Sequence, residues 1–274
     1  MPHPITTRFI SALAGMLALL IALTGCSSAD ADVSSQAPAI VQDEDLGELA
    51  VYEVDLDGEL MPAASGPELE IWDLFRRVVT PEYAAERILW YQVGDDPDSA
   101  LFAWVIESDE DPELWNLAVN LSAAEDAHLL LLTLIHEYAH LLSTGLGQTD
   151  ESEGCVAVMP SAACTEDGAY LAGFHERFWA GYGDEAPEYH QSDGDVTAAF
   201  YAAHDADFVS QYAATNLGED FAESFMAFVA EPRPSDPDAS VVAAKLSYMW
   251  EQPALVQIRD RLRAEFGDIE WVEF

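Results

Sequence analysis

An apolar stretch without glycine or proline runs over residues 123–142 and is dense in Leu, Ala and Ile. This pattern predicts a long helix that is buried over most of its surface. Residues 122–125 read Ser-Ala-Ala-Glu, which has the form of a capping box and predicts that the helix starts near Ala123. Gly145 and Gly147 follow the stretch and predict where the helix ends.

Strand-like patterns lie mainly before this helix. Residues 50–56 alternate weakly between apolar and polar positions and predict a strand. Residues 100–107 and 114–121 are rich in aromatic and β-branched side chains, and a turn-like segment over residues 108–112 separates them. They predict an antiparallel pair. The free edge of such a pair can hold an extended peptide through main-chain hydrogen bonds, although it can also be an ordinary sheet edge.

Other segments show helix-start signals or apolar residues at helical spacing. We expect helices over residues 66–77, 81–88, 168–180, 196–204, 219–229, 239–250 and 253–266. The chain therefore belongs to the α+β class, with many helices and a small antiparallel sheet that precedes the helix over residues 123–142.

The buried helix carries the sequence His136-Glu137-Tyr138-Ala139-His140. Two histidines four positions apart lie on one helical face, so both imidazoles can reach a single Zn²⁺. Glu137 can reach a metal-bound water without being a ligand. This is the H-E-x-x-H pattern of zinc metallopeptidases. The alternative is two core histidines that have this spacing by chance.

Two histidines do not complete a catalytic zinc site, which usually has three protein ligands and a water. Glu219 and Glu223 lie four positions apart on a predicted helix that also carries several phenylalanines. Acidic side chains on a helix with a buried aromatic face need a partner, which a metal and its histidines would provide. The full set of candidates for the third ligand is His175, His190, His204, Glu219, Asp220 and Glu223.

Residues 212–216 (Tyr-Ala-Ala-Thr-Asn) and 219–225 (Glu-Asp-Phe-Ala-Glu-Ser-Phe) resemble a known signature. It is the C-terminal signature of the zincin family that contains anthrax lethal factor and the clostridial Pro-Pro endopeptidase. The resemblance covers roughly residues 136–228, and the interval between the two motifs is longer here than in those relatives. It implies a zincin-like metallopeptidase domain.

The resemblance also implies roles for individual residues. Glu219 would be the third zinc ligand beside His136 and His140, and Glu223 would support a histidine from behind the site. Tyr212 would face the substrate and stabilise the oxyanion. Other interpretations stay open: Glu219 could be a helix-start acidic residue, Glu223 could be the ligand in its place, and Tyr212 could be a packed tyrosine.

The strongly negative net charge argues against some classes of binding partner. The 274 residues include 51 acidic and 10 basic side chains, for a formal net charge of -41. Such a surface repels nucleic acid and anionic lipid headgroups. We therefore expect no nucleic-acid partner and no membrane contact through the folded surface.

The N-terminus predicts export. Residues 9–23 form an apolar run of signal-peptide length, and its last residue begins the sequence Leu23-Thr24-Gly25-Cys26. This resembles the lipobox of bacterial lipoproteins, which implies a signal peptide over residues 1–25 and lipid on Cys26. A signal peptide without lipidation is the alternative. Residues 26–47 would be a flexible tether, and residues 48–274 the peptidase domain.

The remaining two cysteines, Cys155 and Cys164, are nine positions apart. In an exported protein we expect them to form a disulfide that closes a short loop. A second metal site is the weaker alternative because no further cysteine accompanies them.

Together these features predict a zinc-dependent endopeptidase anchored outside the membrane by its N-terminal lipid. We expect one Zn²⁺ per chain, Glu137 and Tyr212 in catalysis, a peptide or protein substrate, and a monomer. The rival is a catalytically silent lipoprotein of the same fold that binds a surface partner or a metal.

Overall fold

The computed structural model describes residues 37–43, 45–145, 148–150, 164–165, 168–187 and 194–270. The strands are β1 (Ala39–Asp43), β2 (Gly47–Val54), β3 (Leu60–Met61), β4 (Ile88–Gly94), β5 (Ala103–Glu107), β6 (Trp115–Asn120), β7 (Thr149–Asp150) and β8 (Cys164–Thr165). The helices are α1 (Pro67–Val79), α2 (Pro81–Arg87), α3 (Ala127–Thr144), α4 (Tyr170–Phe174), α5 (Gly194–His204), α6 (Leu217–Ala230), α7 (Val241–Trp250) and α8 (Pro253–Phe266). The fold is α+β, as predicted.

Six strands form one sheet in the order β1-β2-β4-β6-β5, with β3 paired to β2. The predicted antiparallel pair is confirmed as β5 and β6. The prediction of a small antiparallel sheet is wrong, because β4 pairs with β6 in parallel and the sheet is mixed. β4 was not predicted. Its sequence, Ile-Leu-Trp-Tyr-Gln-Val-Gly, does not alternate cleanly, because the pairing with β6 shifts register between Ile88 and Trp90 and only the residues after that point alternate between half-buried and buried positions.

β1 corrects the predicted domain boundary. It lies inside the segment that we expected to be a flexible tether, residues 26–47, and pairs antiparallel with β2 from Ala39↔Val51 to Asp43↔Gly47. The folded domain therefore begins before residue 48. The rest of that segment up to residue 36, together with the predicted signal peptide, lies outside the described residues.

The predicted capping box at residues 122–125 is wrong. The hydroxyl of Ser122 donates a hydrogen bond to the Asp96 carbonyl, and the segment Leu121–Glu125 forms a short 3-10 helix. α3 starts later, at Ala127. Its N-cap is Asp126, whose carboxylate accepts hydrogen bonds from the backbone N–H groups of His128 and Leu129, each at 3.0 Å.

The end and the burial of α3 agree with the sequence. Gly145 follows the last helical residue, and its N–H donates to the Leu141 carbonyl. Leu132, Leu134 and Ile135 are fully buried. α3 contacts α1 and β5, and it contacts α6 more extensively than any other helix. The two histidines are thus carried by a helix that is fixed in the core.

α6 is the second buried helix. Asn216 is its N-cap and accepts hydrogen bonds from the N–H groups of Gly218 and Glu219 at 2.8 and 3.1 Å. Phe221, Phe225 and others fill the core around it. Thirteen of its fourteen residues are buried, all except Glu219.

α8 holds the C-terminal ends of two other helices. The Arg259 guanidinium donates to the carbonyls of Phe228 and Glu231, and Arg263 donates to the carbonyls of Val229 and Ala230, all at the end of α6. Arg261 donates to the carbonyls of Arg77 and Val78 at the end of α1. These cations satisfy carbonyl groups that have no partner within their own helix.

The remaining predicted helices are present with small shifts of boundary. The segment predicted over residues 168–180 is α4 followed by a π-helix, His175–Trp179. Within the described residues, no helix is both long and apolar enough to span a bilayer.

Replacing Asp126 by Ala should lower the free energy of unfolding by about 1 kcal/mol, because two N–H groups at the start of α3 lose their acceptor. Denaturant unfolding measures this change. Asp126→Asn is the matched control and should stay within a few tenths of a kcal/mol, since asparagine is an equally good N-cap. Equal stability of the Ala and Asn variants would contradict this account of how α3 starts.

Candidate metal and active site

Three side chains from α3 and α6 converge on one point. His136 Nε2 lies 3.0 Å from Glu219 Oε2, and His140 Nε2 lies 3.3 Å from the same oxygen. The two Nε2 atoms are 3.1 Å apart. The potential ligand atoms all lie within 4.8 Å of one another. His136, His140 and Glu219 therefore form a group that could hold a metal ion.

Glu223 lies behind this group. One of its oxygens is 2.9 Å from His136 Nδ1, and the other accepts a hydrogen bond of 2.7 Å from the Ser210 hydroxyl. A carboxylate that accepts a hydrogen bond from Nδ1–H favours the tautomer in which the Nε2 lone pair of His136 faces the cluster. Glu223 thus contacts the far nitrogen of the imidazole, whereas Glu219 shares the point where the two Nε2 atoms meet.

The donor set fits a cation. With Nδ1 of His136 hydrogen-bonded to Glu223, its Nε2 faces another imidazole nitrogen and a carboxylate oxygen. Such electron-rich atoms repel one another at 3 Å unless a proton or a metal ion lies between them. Two imidazoles and one carboxylate form one of the ligand sets of catalytic zinc sites.

The electrostatics of the cluster point the same way. Burial alone would lower the pKa of His136, but hydrogen bonds to Glu219 and Glu223 raise it well above its usual value. Burial would raise the pKa of Glu219, but the neighbouring charges of His140 and His136 and the hydrogen bonds to both imidazoles lower it. The Glu219 carboxylate is therefore stabilised as an anion by positive charge at this point.

Glu137 lies next to the cluster and is only 5% exposed. Burial raises the pKa of its carboxyl to about 7, although His136 and His140 act to lower it. It also forms a hydrogen bond with the backbone of Val105 in β5. A buried carboxylate with this pKa can accept and release a proton near neutral pH.

Tyr212 lies at the mouth of the same site, in a 3-10 helix, Tyr212–Thr215. Its ring centroid is 5.8 Å from that of His136, and its hydroxyl forms a hydrogen bond with Glu219. The residue is 45% exposed. Burial of the hydroxyl and the negative charges of Glu219, Glu137 and Glu223 raise its pKa, so the hydroxyl keeps its proton and can donate it in a hydrogen bond.

A cavity of about 300 Å³ opens beside these groups. It is lined by Ala100, Leu101, Phe102, Ala103, Thr133, His136, Glu137, Tyr212 and Glu223. The apolar wall comes from the chain leading into β5, which is an edge strand among the described strands. The Asn120 N–H donates a hydrogen bond to the Phe102 carbonyl, so the backbone groups of Phe102 face β6. Along an antiparallel strand the N–H and C=O groups of successive residues face opposite sides. Those of Ala103 and Val105 therefore face away from β6.

Three other candidate ligands, Asp220, His204 and His175, are not part of this group. Asp220 accepts hydrogen bonds from Trp179 and Ser224 and pairs with Lys245. His204 lies near Glu185 and Asp207. His175 belongs to the π-helix, and burial lowers the pKa of its imidazole.

Several predicted residues fall outside the part that the structure describes. These are His190, Gly147, the lipidation site Cys26 and one partner of the expected disulfide, Cys155. The other, Cys164, begins β8.

Two features of the site were not found from the sequence. Ser210, which is fully buried and holds Glu223, lies in an irregular segment thirteen positions before it. The apolar wall formed by Leu101 and Phe102 lies in a stretch that we assigned to a strand. A buried serine shortly before an acidic helix carries no signal in a single sequence, because its partner is identified only by the fold.

Comparison of the chain with protein-family models, with curated proteins and with solved structures found no match. The functional interpretation therefore rests on the residues of the site and their geometry.

Replacing Glu223 by Gln should weaken metal binding by roughly 10- to 100-fold, because the His136 imidazole loses the carboxylate that orients it. Competition with a chromophoric chelator for Zn²⁺ measures the affinity. Ser210→Ala removes only the hydroxyl that holds Glu223 and should cause a smaller loss. An unchanged affinity in Glu223→Gln would show that this carboxylate does not support the cluster.

Proposed function

We propose that the chain is a zinc-dependent endopeptidase. The observation that carries the proposal is the convergence of two Nε2 atoms and one carboxylate oxygen, with Glu137 buried beside them in the wall of one cavity. The set of two histidines and a glutamate favours zinc among the metals that the group could hold. The resemblance of the two helix motifs to the zincin family that contains anthrax lethal factor agrees with this assignment and with a zincin-like fold.

Zinc, when bound by His136, His140 and Glu219, would supply a Lewis acid that polarises the scissile carbonyl and makes water more nucleophilic at neutral pH. Glu137 would take a proton from the attacking water on its carboxylate and then give it to the leaving amine. The Tyr212 hydroxyl would donate a hydrogen bond to the oxygen on which negative charge develops. Glu223 would hold the His136 imidazole in one tautomer.

The edge strand β5 supports a peptide substrate in particular. An extended chain could pair with the backbone groups of Ala103, which face away from β6 and lie beside the Val105 backbone that Glu137 contacts, and one side chain could enter the adjacent cavity. Leu101 and Phe102 would then contact that side chain. We infer a peptide or protein substrate on these grounds. We also propose that a single chain carries out the cleavage.

The location is a further proposal and rests on the sequence. The lipobox-like segment before Cys26 would anchor the enzyme outside the membrane, and a bridge between Cys155 and Cys164 would suit that compartment.

Chelator-sensitive cleavage of a peptide library by the zinc-loaded protein is the direct test of the proposed activity. Replacing Glu137 by Ala should leave zinc bound and lower kcat by about 10²- to 10⁴-fold, because the general base is lost. Zinc content and cleavage rate are measured on the same sample. Glu125→Ala, an exposed change just before α3, is the control and should cleave at the wild-type rate. A zinc-loaded Glu137→Ala variant with full activity would refute the assignment.

Tyr212→Phe removes only a hydroxyl and should lower kcat by about 10²- to 10³-fold with little change in KM, because the hydrogen bond forms with charge that develops in the transition state. Steady-state kinetics on one peptide separate the two constants. Tyr201→Phe on α5 is the matched control. A rise in KM with unchanged kcat would instead assign Tyr212 to substrate binding.

A further inference from the structure

Lys245 is a lysine with no exposed surface. Its Nζ lies 2.6 Å from Asp220 Oδ2 and donates a hydrogen bond of 2.6 Å to the Asp207 carbonyl. It also lies 4.0 Å from the ring centroid of Phe208. This cation thus makes its contacts inside the protein, with one carboxylate, one carbonyl and two aromatic rings, those of Phe208 and, at 6.0 Å, Phe174.

The partner Asp220 is equally buried and directly follows the candidate ligand Glu219 in the first turn of α6. Its carboxylate also accepts hydrogen bonds from Trp179 Nε1 at 2.7 Å and from the Ser224 hydroxyl at 3.4 Å. Trp179 ends the π-helix His175–Trp179. Isolated π-turns of this kind are rare and frequently lie at functional sites.

The contacts of Lys245 reach both halves of the site wall. Through Asp220 they fix the N-terminal turn of α6, which bears Glu219. Through the carbonyl of Asp207 they fix the segment that continues to Ser210 and Tyr212. Asp220 and Glu223 are three positions apart and lie on neighbouring faces of α6. With one anchored to Lys245 and the other to His136, the rotation of α6 about its axis is set at two points.

A buried ion pair is a poor device for stability alone. Removing two charges from water costs about as much as their attraction returns, so an apolar replacement of both groups is often neutral. What the pair does supply is a fixed orientation of the elements it joins, because only one arrangement satisfies all of its hydrogen bonds. Its position beside the ligand is therefore more informative than its contribution to unfolding.

We propose that Lys245, acting through Asp220, is a positioning residue of the metal centre. It orients Glu219 towards His136 and His140 and holds the Ser210–Tyr212 segment against them. This role rests on the proposed function, since it concerns the same metal centre. It assigns to a lysine on α7 a part in metal binding although its side chain contacts no ligand.

The test is the double variant Asp220→Asn/Lys245→Met in the full-length chain. Asparagine keeps an acceptor for Trp179, and methionine keeps the length of lysine, so the unfolding midpoint should stay near that of the wild type. The Kd for Zn²⁺, measured by chelator competition, should rise 10- to 100-fold. The rate of peptide cleavage at saturating zinc should fall through kcat, since Glu219 and Tyr212 lose their orientation.

Arg259→Met is the matched control. It also removes a buried cation that donates to α6, but at the C-terminal end of the helix, through the Phe228 carbonyl. It should lower the unfolding midpoint and leave the zinc affinity within about twofold of the wild-type value. An equal loss of zinc affinity in both variants would show that the effect is general destabilisation, and it would overturn the proposal. An unchanged zinc affinity in the double variant would also overturn it.

A second measurement separates this proposal from the proposed function. If the wild type bound no zinc, the metalloenzyme assignment would fail, whereas the positioning role would still be read from the metal-free protein. NMR signals of the His136 and His140 imidazoles should shift in the double variant and stay in place in Arg259→Met. Unmoved signals in the double variant would overturn the positioning role.

Discussion

The structure depends on the close approach of α3 and α6. Each helix brings polar side chains into an interior where an unpaired charge would cost several kcal/mol. The helices resolve this by pairing: Glu219 faces both imidazoles, and Glu223 is shared between His136 and Ser210. The N-caps at Asp126 and Asn216 fix where the two helices start, and the aromatic core packs around α6.

The sequence was sufficient where the signal is local. His136 and His140 share a helical face by spacing alone, and helices such as α2 and α8 follow from their proline starts. It was insufficient where two local signals competed. Ser122 had the form of a cap, but its hydroxyl found the Asp96 carbonyl, and Asp126 took over the cap. Only the fold brings Asp96 to that place.

Non-local relations account for the other differences. The parallel pairing of β4 with β6 is a relation between distant segments that no spacing within either strand shows, and a register shift between Ile88 and Trp90 interrupts the alternation along β4. The choice of Glu219 over Glu223 at the shared point of the histidines likewise depends on how α6 is rotated. The distant partners of α6 include Lys245, through Asp220, and Ser210, through Glu223, and no spacing rule connects these two residues with the candidate ligands.

The arginines of α8 connect this helix to α1 and α6, which its sequence alone does not indicate. The protein has ten lysine and arginine residues, and three of them donate hydrogen bonds to carbonyls at the C-terminal ends of α1 and α6. α8 contributes no candidate ligand or base. Its arginines nevertheless bind the C-terminal end of α6, the helix that carries Glu219 and Glu223. The structural support of the candidate site therefore extends to α8. In a shortened domain that ends before Pro253, the C-terminal carbonyls of α6 would lose these hydrogen-bond donors.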